Sequence, residues 1–108
     1  MTNIEAISAS LYPYDVDPFL KEKACIDEGI DARADYTATD KVSVAKAAIA
    51  ILRNLIVLLS ESNGGYSLSY DTDGLKEQIF KLAKENGLTD IADEFDTRSK
   101  IIDISDQW

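Results

Sequence analysis

Residues 40–60, DKVSVAKAAIAILRNLIVLLS, are apolar on nearly every side when wound as a helix. The polar positions Ser43, Lys46, Arg53 and Ser60 fall on one narrow stripe, with Ala50 and Val57 filling the same stripe. Val42, Val44, Ala45, Ala48, Ile49, Ile51, Leu52, Leu55, Ile56, Leu58 and Leu59 all need cover. A surface helix of a small domain buries one face only. This helix therefore requires a layer of helices around it or neighbouring subunits against it.

The flanking pattern predicts shorter helices. Asn3 caps a helix to about Ser10, with Ile4, Ile7 and Leu11 on one face. Tyr12-Pro13-Tyr14 ends it, because the residue before proline is driven out of the helical region. Asp17-Pro18 starts a second helix: aspartate accepts backbone N–H bonds at the N-cap, and proline suits the first helical position. That helix runs to about Glu28, is expected to bury Phe19, Leu20, Ala24 and Ile26, and closes on Gly29. A further helical turn is expected within residues 30–36, and Thr39 or Asp40 caps the central helix. Thr72 or Asp73 starts a helix to Asn86 with Leu75, Ile79, Leu82 and Ala83 buried and Phe80 at the edge. Asn86-Gly87-Leu88 reads as a glycine C-cap with an apolar clasp, and Thr89 or Asp90 opens a last helix to Phe95.

Two segments break the helical pattern. Glu61-Ser62-Asn63-Gly64-Gly65 is a turn signal, and Tyr66-Ser67-Leu68-Ser69-Tyr70 alternates like a strand. A short hairpin or an extended loop is expected near residues 62–71. It either packs on the helices or pairs with a neighbouring subunit. Residues 96–108 set Ile101, Ile102, Ile104 and Trp108 among polar residues, without a helical stripe. Bare isoleucines and a tryptophan favour docking, either on the chain's own domain or on a partner, where tryptophan is a common anchor. The expected architecture is all-α. It is a small helical bundle, residues 1–95, around a long central apolar helix, followed by an extended tail at 96–108. Candidate interface residues are Tyr66, Leu68, Tyr70, Ile101, Ile104 and Trp108.

Charge narrows the partners. Twenty acidic residues against eleven basic leave a formal charge of −9 in 108 residues. Such a chain repels the phosphate backbone, and no basic stripe appears, so sequence-specific nucleic-acid binding is not expected. An acidic lining past which DNA slides without sticking is compatible with this charge. So is a small acidic module, an inhibitor or DNA mimic that occupies a basic site on another protein.

Candidate chemistry is sparse. The single cysteine, Cys25, reads as a small buried residue; no histidine is present to activate it. One cysteine and no histidine offer no zinc ligand set. Asp71-Thr72-Asp73-Gly74 imitates part of a calcium loop. With Gly74 at the sixth position, however, Ser69 and Phe80 occupy the first and last ligand positions, and both fail. Gly64-Gly65 lacks the spacing of a nucleotide-binding loop. Catalytic, cofactor and metal residues are accordingly none, and no enzymatic activity is expected. The N-terminus has neither the basic nor the apolar region of a signal peptide. The apolar run 47–59 is shorter than the roughly 20 residues that span a bilayer.

In order, the chain shows a short helix, Tyr12-Pro13-Tyr14-Asp15, a helix ending in Asp27-Glu28-Gly29-Ile30-Asp31, and a long alanine- and leucine-rich helix. Gly64-Gly65-Tyr66-Ser67-Leu68-Ser69-Tyr70-Asp71 and an amphipathic helix closing on Asn86-Gly87-Leu88 follow. This order resembles the small helical head–tail connector (adaptor) proteins of tailed bacteriophages and their prophage copies in Bacteroides-like bacteria. The resemblance implies a virion structural protein. Its copies form a ring below the portal through which DNA passes, with the portal and tail-completion proteins as partners and no active site. It implies a location in the virion, or in the host cytoplasm before assembly.

Overall fold

The computed structural model describes residues 1–62 and 72–96. Among these residues there are five helices: α1 (Asn3–Leu11), α2 (Pro18–Asp27), α3 (Lys41–Ser62), α4 (Thr72–Glu85) and α5 (Thr89–Glu94). A 3-10 turn, Ala38–Asp40, leads directly into α3. The protein is all-α; the described residues form no strand beyond one isolated bridge between Thr2 and Asp35.

α3 is the centre of the fold. It packs against α1, α2 and α4, while α5 sits on α4. Its Val44, Ala47, Ala48, Ile49, Ile51 and Leu52 are buried in one core with Ile7 and Leu11 of α1, Cys25 of α2, and Leu75, Ile79 and Ala83 of α4; Ala45 is buried as well. Cover within one chain thus satisfies the middle of the helix. Its ends differ in part from expectation: Val42 and Leu58, which needed cover, are exposed, whereas Val57 is exposed on the stripe where the sequence placed it.

Local chemistry explains the boundaries. Thr2, not Asn3, caps α1: its hydroxyl accepts from the Glu5 N–H while Glu5 accepts from the Thr2 N–H, a capping box. Asp17 caps α2 by accepting from the Phe19 N–H, with Pro18 in the first turn. α2 closes on Gly29 at φ +73°, with Gly29 N–H donating to Ile26 O and Ile30 N–H to Cys25 O. α4 closes the same way on Gly87 at φ +69°, with Leu88 N–H donating to Ala83 O. Both ends use the left-handed conformation that glycine adopts without a Cβ penalty.

Residues 30–36 form a turn and an extended strap rather than a helical turn. The Asp31 side chain accepts from the Arg33 N–H, which favours a local turn over helix. The strap then lies along the start of α1. Asn3 N–H donates to Ala34 O at 2.9 Å, Ile4 N–H to Ala32 O at 3.0 Å, and Tyr36 N–H to Met1 O at 2.8 Å. Asn3 is buried, and its Nδ2 donates to Asp31 O at 2.8 Å.

α2 corrects the sequence expectation most sharply. Ala24 is buried as predicted, but Phe19 and Ile26 are 77% and 74% exposed and Leu20 is exposed as well. The inward stripe is Lys21, Ala24 and Cys25. Small residues at 24 and 25 let α2 lie close on α3. Lys21 follows because its stem is apolar and its ammonium reaches Asp15 Oδ1 at 3.0 Å.

Candidate functional site

No three or more His, Cys, Asp or Glu side chains converge into a metal-holding group among the described residues. Thr72, Asp73 and Gly74 lie in the first turn of α4, a helical and not a loop conformation. The titratable groups that shift each do so for a structural reason. The Lys21 ammonium beside Asp15 holds its carboxyl below the usual range. The Thr2 backbone N–H, then its hydroxyl, lowers Glu5 within the capping box. Burial pushes the Cys25 thiol up, and Asp31 and Glu22 add to this, the opposite of what a reactive thiolate needs. Hydrogen bonding to Glu94 raises Arg53 further.

Among the described residues, a groove of about 510 Å³ lies between α2 and α3. Leu20 and Ala24 form one wall, and Ala47, Ala50, Ile51 and Val57 the other. Lys23, Asp27, Glu28, Arg53 and Asn54 complete its lining. Its small residues make it deep: alanines at 24, 47 and 50 leave room where longer side chains would fill the space between the helices. Two of its polar groups are engaged with each other, Lys23 Nζ lying 2.7 Å from Asp27 Oδ2.

Arg53 marks one edge of this groove and also fastens α5. Its two guanidinium nitrogens donate to the two Glu94 carboxylate oxygens at 2.9 and 2.7 Å, and the Phe95 ring centroid lies 5.0 Å away. The fork geometry is specific to arginine. Both partners are well exposed, so solvent screening keeps the pair's contribution to about 1 kcal/mol or less. Arg53→Lys is expected to destabilise the protein by that amount at most, but to speed amide hydrogen exchange throughout α5. Unchanged α5 exchange would show that helix to be held by Ala92 and Ile91 packing alone.

A second surface feature is the outer ridge of α2. Phe19 and Ile26 stand two turns apart, within about 20° of each other around the helix axis. Leu20, next round the helix, lines the groove. Between Phe19 and Ile26 on the same face stand Glu22 and Lys23, engaged with Arg33 and Asp27, so the exposed apolar side chains alternate with paired charges.

The six interface residues predicted from sequence, Tyr66, Leu68, Tyr70, Ile101, Ile104 and Trp108, lie outside the described residues. The expected hairpin or loop and the tail beyond Asp96 lie outside them too. The groove and the α2 ridge were missed. Reading Phe19 and Ile26 as core concealed the ridge; the small pair Ala24-Cys25 was the signal that the other face points inward.

These features define a small helical domain with exposed apolar side chains beside an open groove. The chain belongs to a family of unknown function, DUF6706, whose family model matches residues 1–108. No match was found among curated proteins or among solved structures. No helix of the described residues is long and apolar enough to cross a membrane.

Proposed function

We propose that this protein is a non-enzymatic structural subunit of the head–tail connector type, whose copies assemble into a ring below a portal through which DNA passes. The observation that carries the assembly part is the exposure of three large apolar side chains on α2, Phe19, Leu20 and Ile26, beside the α2–α3 groove. A monomer with no partner gains nothing from presenting them. The connector part rests on the resemblance of the order of elements in the sequence to phage adaptors. The net charge of −9 suits a conduit that must not hold DNA. The portal and tail-completion proteins are the partners this reading names, and Tyr66, Leu68 and Tyr70 are further contact candidates. The location is the virion, or the host cytoplasm before assembly.

The test is solution mass by light scattering at low and high protein concentration, with negative-stain images of any large peak. Closed rings that persist in high salt are expected, because apolar contacts hold them. The double variant Phe19→Glu, Ile26→Glu is expected to keep its helix content and remain monomeric. Rings unaffected by that variant would remove the α2 ridge from the interface. A protein that stays monomeric and instead binds a basic partner, with affinity falling steeply as salt rises, would favour the inhibitor or DNA-mimic reading.

A further inference from the structure

The turn that closes α4 carries a dipeptide with a chemistry of its own. Asparagine followed by glycine deamidates spontaneously, because a residue without a Cβ leaves its backbone nitrogen unhindered toward the preceding carboxamide. The sequence has two such pairs, Asn63-Gly64 and Asn86-Gly87. The second lies within the described residues and joins α4 to α5.

Its surroundings leave one reacting group open and hold the other back. Gly87 is exposed, with open space beside its α-carbon. Its N–H donates to Lys84 O across 3.4 Å, longer than an ordinary N–H···O bond. The Asn86 carboxamide is the group held back: Nδ2 donates to Leu82 O at 2.8 Å, in the preceding turn of α4. Its Oδ1 is buried and meets no donor. Reaction therefore requires the carboxamide to leave Leu82 O and turn to Gly87. The Gly87 nitrogen then attacks Asn86 Cγ. The N–Cγ bond forms and the Cγ–Nδ2 bond breaks. The Gly87 amide proton passes through solvent to the departing nitrogen, which leaves as ammonia. Water opens the resulting succinimide to aspartate or isoaspartate, with no oxidation or reduction.

The product no longer fits the turn. Aspartate at 86 lacks the donor that met Leu82 O and sets a carboxylate oxygen against that carbonyl. Its other oxygen takes the buried place of Oδ1, and a buried charge without a donor is costly. Negative charge is also disfavoured at a helix C-terminus. Isoaspartate lengthens the backbone just before Leu88, which anchors the turn. The Leu88 N–H donates to Ala83 O, its carbonyl accepts from the Ala92 N–H of α5, and its side chain packs on the core.

We propose that Asn86 is a deamidation site latched by its bond to Leu82 O, and that its conversion loosens α5 from α4. The inference does not depend on ring formation.

Two measurements on the full chain test it. Protein is incubated folded and in guanidinium chloride, then digested with trypsin. Cleavage after Lys84 and Arg98 isolates residues 85–98, and Asn63 falls on a separate peptide. Mass spectrometry follows conversion at each site, and isoaspartyl methyltransferase labelling identifies isoaspartate. In denaturant Asn86 is expected to convert as fast as Asn63. In the folded chain it is expected to convert roughly 10- to 1,000-fold more slowly, since a minor open state holds roughly 0.1–10% of molecules. Equal Asn86 rates in the two states would remove the latch, and no conversion in denaturant would remove the site. Second, Asn86→Asp is compared with Asn86→Ala by amide hydrogen exchange. Asn86→Asp is expected to lose protection at Leu88, Ala92 and Phe95 relative to Asn86→Ala, with the α3 amides alike in both. Equal protection of α5 in the two variants would overturn the loosening.

Discussion

Leu52→Ala is expected to lower unfolding stability by about 2–5 kcal/mol, the range for emptying a fully buried leucine position that relaxes only partly. Leu52 is wholly inaccessible at the middle of α3, in the core shared by α1, α2 and α4. Removing its side chain therefore leaves a cavity in that shared core, which the surrounding helices close only in part. A domain of this size has about 5–15 kcal/mol in total, so the variant loses a large share of it. Urea unfolding should show a lower midpoint at unchanged slope, since the surface exposed on unfolding is nearly the same. The melting temperature should fall by roughly 10 °C or more. Val57→Ala, on the same helix but half-exposed at the groove, should stay within about 0.5 kcal/mol. Equal losses at the two sites would contradict the assignment of α3's middle as the core.

Asn3→Ala is expected to destabilise by about 1–3 kcal/mol, the penalty for stripping a buried polar group of its partner. The Asn3 side chain is buried, and Nδ2 donates to the Asp31 carbonyl 28 residues away. The loss should be local in character. The strap at 31–36 is tied to the start of α1 by the Asn3, Ile4 and Tyr36 amides, so those amides should lose exchange protection before the α3 and α4 amides do. Asn86 provides the contrast: its Nδ2 bonds Leu82 O within its own helix, and Asn86→Ala should leave the strap intact. Uniform loss of protection across all helices would mean that the strap unfolds with the core and is no separate unit.

The candidate site joins these levels. Small residues on α2 and α3 set the two helices close at their contact and leave a groove beside it. The same inward stripe turns Phe19 and Ile26 outward. Arg53 lines the groove and also holds α5 through Glu94. Packing inside the domain thereby decides which apolar side chains are left for contacts outside it.

The sequence alone determined the helices, because their signals are local. Aspartate before proline, glycine after the last apolar position and the continuous apolar run of α3 each act within a few residues, and all appear where they were read. It also determined that α3 needed cover on several sides. Only the tertiary structure decided what supplies that cover, and which face of α2 turns inward. Periodicity ranks faces by hydrophobicity, and on α2 that ranking favoured Phe19 and Ile26. Close approach to α3 instead selected the small Ala24 and Cys25, with Lys21 admitted because Asp15 meets its ammonium. The strap across α1 and the Arg53–Glu94 clasp belong to the same class. Each joins residues 28 or more apart in sequence, and no local pattern carries a pairing that only the packed helices bring within hydrogen-bond reach.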